Sequence, residues 1–194
     1  MPANKIMVIR HAEKPSGDGK DGKQDSINGV DAAGKDNKHE LIVRGWQRSG
    51  ALVRLFAPLK GFTNPRLAQP KTIFASKVDD QSSSLRPQHT VLELATLLGP
   101  KAQFVLDYGK GKEDKLVKAA IAATGPVLIA WEHEAIPKIG NLILGDKTTV
   151  PQDWPGSRFD LVWVFDRADA SSAWSFAQVP QLVLSGDSSK VIGS

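Results

Sequence analysis

The chain has 194 residues, 41% hydrophobic and 24% charged, a balance that excludes wholesale disorder. It contains no cysteine, which excludes a disulfide scaffold, a thiolate metal site and a cysteine nucleophile. The net charge of +4 indicates an anionic partner only weakly. The sequence has no run approaching the roughly 20 apolar residues of a membrane span, and residues 1–5 lack the apolar core of a signal peptide. We therefore expect one cytoplasmic domain over residues 1–194.

The first apolar run, residues 5–9, predicts a buried strand that stops at Arg10 and His11. Residues 15–38 are rich in Gly, Asp, Lys, Asn and Ser, and no apolar face can be drawn through them. They predict a long flexible loop, and loops of this length in compact domains are usually functional or disordered.

Helical and strand-like segments then alternate along the chain. Apolar periodicity predicts helices at residues 41–59, 87–98, 113–123 and 135–144, and strands at residues 72–75, 103–106 and 127–131. Two strand-like runs, residues 158–166 and 174–184, follow without a helix between them. The pattern predicts an α/β fold: a three-layer α/β/α sandwich with a mostly parallel sheet and an antiparallel C-terminal edge hairpin.

Arginine, histidine and glutamate side chains that together suit a phosphate site lie at the ends of two predicted strands and at the start of one predicted helix. They are Arg10, His11, Arg86, Glu132, His133 and Glu134. In open α/β sheets, ligands bind beyond the carboxyl ends of the strands, and helix N-termini there offer N–H groups to an anion. The sequence therefore predicts that both histidines and both arginines meet at one edge of the sheet.

Four blocks of the sequence resemble, in the same order, motifs of the histidine phosphatase superfamily, which includes the phosphoglycerate mutases. They are VIRHAE at 8–13, LIVRG at 41–45, FAS with RPQHT between 74 and 90, and VLIAWEH at 127–133. An Arg-His pair alone is a weak motif. The resemblance is specific because the blocks are ordered, lie in the expected strands and helices, and belong to a stretch from residue 5 to residue 144.

The resemblance implies a metal-independent phosphatase without a cofactor. His11 would attack phosphorus and form a covalent phosphohistidine, while His133, Arg10 and Arg86 would hold the phosphoryl oxygens. This set of residues suits the chemistry, because phosphoryl transfer depends mainly on positioning and on neutralising charge. A neutral imidazole is also a competent nucleophile near pH 7.

The leaving oxygen needs a proton donor, and several acids are candidates. Glu134 directly follows His133, which is similar to the His-acid pair of the acid-phosphatase branch and favours Glu134. Glu132, Glu113 and Glu13 are alternatives. Because alternate residues of a strand point to opposite faces, we expect Glu132 to face away from the site unless the following turn brings it inward.

Other departures from the family pattern concern substrate choice and local structure. Residues 77–84 are an insertion at the rim of the site, and together with the loop 15–38 we expect them to decide the substrate. Ile42 stands where the family often has a capping Thr, and His89 replaces a Gln. We expect Arg44 to be a solvated helix residue.

Two alternative functions share the fold: a phosphomutase, and a non-catalytic phosphate-binding module. The expected partner is a small phosphorylated substrate or a phosphoprotein, with no nucleic acid and no membrane, and the oligomeric state is left open. Residues 109–112 lack the Ser or Thr of a P-loop, and residues 133–137 do not form the H-E-x-x-H motif of a zinc protease.

Overall fold

The computed structural model describes residues 2–15 and 28–193. The strands in these residues are β1 (Lys5–Arg10), β2 (Thr72–Ala75), β3 (Gln103–Val105), β4 (Val127–Trp131), β5 (Leu161–Asp166) and β6 (Ser175–Pro180). The α-helices are α1 (Val43–Phe56), α2 (Arg86–Leu98), α3 (Glu113–Ala122) and α4 (Ile136–Leu144), and 3-10 turns occur at Gly99–Lys101 and His133–Ala135.

The strands form one sheet in the order β3-β2-β4-β1-β5-β6. The β3, β2, β4 and β1 strands pair in parallel, whereas β5 runs antiparallel to β1 and β6 antiparallel to β5. The predicted mostly parallel sheet with a C-terminal edge hairpin is confirmed. Pro180 ends the edge strand β6, where a missing N–H costs no ladder bond.

Helices cover both faces of the sheet. Alternate residues of β1 divide between two apolar cores: Ile6 and Val8 pack in one, and Met7 and Ile9 in the other. The first core includes residues of α3 and α4, and the second includes residues of α1 and α2. The three-layer sandwich expected from the alternation of strands and helices is therefore confirmed.

Helix α1 differs in detail from its prediction. It begins at Val43, two residues later than expected, and its N-cap Ile42 makes no side-chain capping bond because it has no acceptor. Its buried face includes Gly45, where a Cβ would lie 2.6 Å from the carbonyl oxygen of Glu13. This close approach of the helix to the chain after β1 requires glycine.

The predicted loop 15–38 is described only in part, since residues 16–27 lie outside the described residues. Residues 28–38 form no helix or strand beyond a single bridge between Val30 and Asp36. The carbonyl of Val30 accepts a hydrogen bond from the Trp46 indole at 2.8 Å, which fastens this segment to α1. Among the described helices, none is long and apolar enough to cross a membrane.

Candidate active site

Strands β1 and β4 bring the two site histidines to the same edge of the sheet. The strands are parallel neighbours, and Arg10 is opposite Trp131 in the register. The backbone N–H of His11 donates to the carbonyl of Trp131 at 2.9 Å, which extends the ladder by one residue. This bond holds His11 beside Trp131, and His133 follows Trp131 by two residues.

A cavity of about 230 Å³ opens at this edge. The structure brings five of the predicted residues into its lining: His11, Arg86, Glu132, His133 and Glu134. The other polar lining residues are Lys14, Ser76, Gln81, Ser82, Ser84 and Lys110. Pro87 is the one apolar side chain among the described lining residues, so the cavity suits a highly polar ligand.

The His11 ring is buried, with 5% of its surface exposed. Its Nδ1 lies 2.7 Å from the carbonyl oxygen of Ala12, which can only accept a hydrogen bond, so Nδ1 carries the proton. Burial, followed by the charges of Arg10 and Arg86, holds the pKa of His11 well below its usual value. Near neutral pH, the ring is therefore uncharged and has a free electron pair on Nε2.

Arg10 lies buried beside the cavity rather than in its lining. Its Nη1 donates to the carbonyl of Gly156 at 2.6 Å, and its guanidinium carbon lies 3.7 Å from the centre of the Phe159 ring. Burial lowers the pKa of Arg10 to about 10, so the group stays protonated near neutral pH. Its buried Nε and Nη2 have no partner among the described residues.

Arg86 begins α2 and reaches into the cavity. Its Nη1 donates to the carbonyl of Lys38 at 3.1 Å, while its buried Nε has no partner among the described residues. Burial lowers the pKa of Arg86, although the charge of Glu40 opposes the shift. Neither Arg86 nor Arg10 forms a salt bridge with a described carboxylate, so their charges are free to act on a ligand.

His133 starts the 3-10 turn after β4 and is half-buried. Burial and then the charge of Arg10 lower the pKa of His133, so this ring is also neutral near pH 7. A neutral imidazole has one N–H group, which can donate a hydrogen bond to a phosphoryl oxygen.

Glu132 does not face away from the site, and the expectation from strand alternation is wrong. The extended backbone ends where the 3-10 turn begins at His133, so period-two alternation does not continue. Glu132 and Glu134 both line the cavity, and Lys110 Nζ lies 3.1 Å from Glu132 Oε2 and 3.5 Å from Glu134 Oε2. Burial raises the pKa of Glu132, with Lys110 acting in the opposite direction. The Glu134 side chain is 68% exposed.

The other two candidate acids lie outside the cavity lining and have structural partners. Glu113 is buried. It accepts hydrogen bonds from Lys138 at 2.7 Å and from the Trp131 indole at 3.3 Å. Burial acts to raise the pKa of Glu113, but the hydrogen bond from Lys138 opposes it, and the pKa is lowered overall. Glu13 accepts from Arg48 at 2.8 Å.

A buried cluster of charges supports the chain just after His11. Arg48 Nη2 lies 2.8 Å from both Glu13 and Asp187, which joins the end of β1 to α1 and to the C-terminal segment. Arg44 is an exposed residue of α1, as expected, and its Nε lies 3.2 Å from Glu13 Oε1 at the edge of this cluster. Breaking such a buried cluster leaves a charge without its partner, which is costly.

The rim of the cavity includes the insertion 77–84, as expected from the sequence, and a second loop, residues 106–112, which the sequence reasoning did not place at the site. The insertion 77–84 contacts the loop 106–112 through a 2.8 Å hydrogen bond from Lys77 N to Tyr108 O. Ser84 Oγ, on the insertion, is buried without a described partner, and Lys110 comes from the second loop. The position of that loop, after the parallel strand β3, was the available signal, since the same rule located His11 and His133.

Among the described residues, no group of three or more His, Cys, Asp or Glu side chains could hold a metal ion. The positive groups near the cavity are instead arginine and lysine side chains.

No protein-family model and no curated protein matches the chain, but solved structures do. A mycobacterial glucosyl-3-phosphoglycerate phosphatase in complex with VO3 has a TM-score of 0.50 at 14% identity, covering 89% of this chain and 97% of its own. A protein described as mycobacterial hydrolase 1 has a TM-score of 0.50 at 13% identity, covering 90% and 96%. A protein from Agrobacterium tumefaciens described as a phosphohistidine phosphatase, SixA, has a TM-score of 0.49 at 15% identity, covering 91% and 98%.

At these identities the likeness concerns the fold. The chain shares with these solved structures the α/β fold that the ordered sequence motifs implied.

Proposed function

We propose that the protein is a phosphatase that hydrolyses phosphate monoesters, or a phosphohistidine, through a covalent phosphohistidine on His11. The observation that carries this proposal is the state of the His11 ring. Its Nδ1 is fixed on the Ala12 carbonyl at 2.7 Å, its pKa is held low by burial, and its free Nε2 belongs to a side chain that lines a polar cavity. These are the properties of an activated nitrogen nucleophile.

The reaction proceeds in two displacements. The Nε2 electron pair forms a bond to phosphorus while the bond from phosphorus to the leaving oxygen breaks, and that oxygen takes a proton from a carboxylic acid of the enzyme. Water then attacks the phosphohistidine, the P–N bond breaks, and the carboxylate accepts a proton from the water. Inorganic phosphate leaves, and both side chains return to their starting states.

The guanidinium groups take the role of holding the phosphoryl oxygens. Arg10 offers Nε and Nη2, and Arg86 offers Nε, all of them donors without a described partner. His133 adds a neutral donor from the opposite strand. Preorganised donors of this kind stabilise the charge of the transition state without reorganising, so we propose that the reaction needs no metal ion.

The choice of proton donor lies between two neighbouring carboxylates. Glu134 follows His133 and is the donor favoured by sequence, but its side chain is mostly exposed. Glu132 is half-buried, and burial raises its pKa, so it keeps its proton to a higher pH than an exposed glutamate does. These observations favour Glu132, and the leaving-group experiment in the Discussion distinguishes the two.

The polar lining favours a small polar phosphate ester or a phosphorylated protein side chain. We propose that residues 1–194 form one domain, and that the loop 15–38 lies near the site, because the Lys38 carbonyl at its end accepts from Arg86. The fold neighbour with bound VO3 acts on glucosyl-3-phosphoglycerate, which makes phosphorylated sugar acids worth including as substrates. A phosphomutase or a binding module is the alternative if product phosphate is not released.

The test is a panel of phosphorylated metabolites, with one phosphohistidine protein, assayed for phosphate release in millimolar EDTA. We expect turnover to survive chelation and His11→Ala to lose at least ~10³-fold, as expected when a covalent nucleophile is removed. An acid-labile, base-stable label should appear on the wild-type protein, His39→Ala and His89→Ala, but not on His11→Ala. Near-normal activity of His11→Ala, or loss on chelation restored by one divalent ion, contradicts the proposal.

A further inference from the structure

The mouth of the cavity holds one ammonium group between two carboxylates. Lys110 Nζ lies 3.1 Å from Glu132 Oε2 and 3.5 Å from Glu134 Oε2. All three side chains line the cavity, together with His11 and His133. Lys110 comes from the loop between β3 and α3, whereas the glutamates follow β4, so this contact joins two elements of the fold across the mouth.

Two carboxylates beside a phosphate site would repel the ligand if nothing compensated them. A phosphate monoester carries about 1.5 to 2 negative charges near pH 7, and like charges disfavour one another at close range. Lys110 supplies a positive charge at the point where both carboxylates converge. The hydrogen bond to Glu132, and then its charge, raise the pKa of Lys110, so the ammonium stays protonated throughout the working range.

Lys110 also acts on the carboxyl group that the proposed function favours as the acid. The charged groups that face Glu132 come from three elements: Lys110 before α3, Glu113 in α3, and Glu134 in its own turn. The two glutamates make it harder for Glu132 to ionise, whereas Lys110 makes it easier. Among these groups, Lys110 is the one that opposes retention of the proton.

We propose that Lys110 is a positioning residue for phosphoryl transfer, holding Glu132 at the cavity and setting how readily that carboxyl group gives up its proton. This inference rests on the proposed function, in which Glu132 protonates the leaving oxygen. An entering phosphate competes with Glu132 for the ammonium. As Lys110 turns toward the phosphate, Glu132 loses a partner that favours its ionised form, and the proton is retained until the leaving oxygen takes it.

The size of the effect follows from exposure. The Lys110 side chain is 46% exposed and that of Glu132 is 21% exposed, so water screens their interaction. Partly exposed ion pairs change an equilibrium constant by a factor of about two to five. We therefore expect removal of Lys110 to move the ionisation of Glu132 upward by roughly half a pH unit.

The test compares Lys110→Met with Lys112→Met. Lys112 lies on the same loop, is exposed and forms no ion pair with a described carboxylate, so its replacement removes the same charge without the contact. The rate kcat is measured against pH on an alkyl phosphate and on p-nitrophenyl phosphate, whose acidic leaving group needs little protonation. With the alkyl phosphate, the alkaline limb of the profile of kcat against pH should move to higher pH by roughly half a unit in Lys110→Met. Lys112→Met should keep the wild-type profile.

A structural role for Lys110 would lower the rate at every pH without moving the limb. If Lys110 acts through Glu132, its replacement in a Glu132→Gln background should leave the limb where Glu132→Gln alone puts it, since the two changes then share one cause. Lys110→Arg should restore the wild-type limb. A shift that persists in the Glu132→Gln background, or an equal shift in Lys112→Met, overturns the inference.

A second measurement keeps this inference separate from the proposed function. Carbon-13 NMR titration of the glutamate carboxyl groups in the free protein reports the ionisation of Glu132 without turnover. Ionisation at higher pH in Lys110→Met supports the coupling, and an unchanged titration overturns it. A wild-type protein that hydrolyses no phosphate compound overturns the proposed function, whereas a wild-type protein that turns over with a limb indifferent to Lys110 overturns only the role of Lys110.

Discussion

The Thr90 hydroxyl accepts a hydrogen bond from the backbone N–H of Ala12 at 2.7 Å. The same hydroxyl donates to the carbonyl of Arg86 at 2.7 Å. One buried side chain in α2 thereby ties the residue after the proposed nucleophile to the residue that carries the second guanidinium. Because Ala12 also supplies the carbonyl that orients the His11 ring, Thr90 fixes both the nucleophile and the start of the helix that presents Arg86.

Thr90→Val should therefore impair both stability and catalysis. Valine keeps the shape of threonine but leaves the buried Ala12 N–H without its partner, which costs about 1–3 kcal/mol in the free energy of unfolding. We expect kcat to fall as well, because the Ala12 carbonyl no longer holds His11 in one orientation. Urea unfolding and phosphatase assays on Thr90→Val and Thr90→Ser decide this. Thr90→Ser should stay close to wild type in both, and an unaffected Thr90→Val would contradict the role of the hydroxyl.

Arg86→Lys and Arg10→Lys should each slow the reaction by about 10²–10³-fold, the range for loss of one preorganised donor. Lysine keeps the charge but lacks the planar guanidinium with its forked donors, so we do not expect rescue. Arg54→Lys, on the exposed side of α1, is the matched control. Steady-state kcat/KM for the three variants gives the answer. Wild-type activity in Arg86→Lys would mean that Arg86 does not hold the phosphate.

The leaving group identifies the proton donor. A general acid contributes about 10²–10⁴-fold, and an alkyl phosphate needs that proton far more than p-nitrophenyl phosphate does. We expect Glu132→Gln to slow alkyl phosphates strongly and p-nitrophenyl phosphate little, because burial helps Glu132 to stay protonated. If the contrast appears in Glu134→Gln, the interpretation from the sequence is right instead. Equal effects on both substrates in both variants would place the acid outside this pair.

The rate should be greatest on the acidic side of neutrality. His11 must be uncharged to attack, and its lowered pKa keeps it so at pH values where an ordinary histidine is protonated. Glu132 must carry its proton, and its raised pKa extends that state upward from the usual range of a glutamate. A profile of kcat/KM from about pH 4 to about pH 9, corrected for the substrate ionisation near 6, measures both limbs. An acidic limb at or above the usual histidine pKa contradicts the state assigned to His11.

The architecture was predictable because strands and helices leave simple signals in the sequence. The β4 run is wholly apolar and the β2 run is apolar after Thr72, as is typical of strands buried on both faces, and the predicted bounds of both agree with the structure. Helix α1 was harder to predict, since its buried face includes a glycine and an arginine. A hydrophobic stripe cannot reveal Arg48, which is buried because Glu13 and Asp187 neutralise it.

Within the candidate site, residues next to strand ends were predictable and contacts across loops were not. The position of His11 after β1 and of His133 after β4 follows from the rule for parallel sheets. The side on which Glu132 lies depends on the 3-10 turn that follows it, because side chains in such a turn do not alternate between the two faces as they do in a strand. The contact of Lys110 with both glutamates requires knowing that the loop after β3 reaches across to the turn after β4.

The order of the strands distinguishes the parts of the cavity wall that the sheet holds in place from the loops that can accept a different sequence. Both histidines follow β4 and β1, which pair with each other at the centre of the sheet, whereas the insertion 77–84 follows β2 and the loop with Lys110 follows the edge strand β3. Lengthening or exchanging those two loops would leave the pairing of β1 with β4 intact. A library of chimeras that carry foreign segments at 77–84 and 106–112, with Lys110 retained, is therefore a practical route to an altered substrate range.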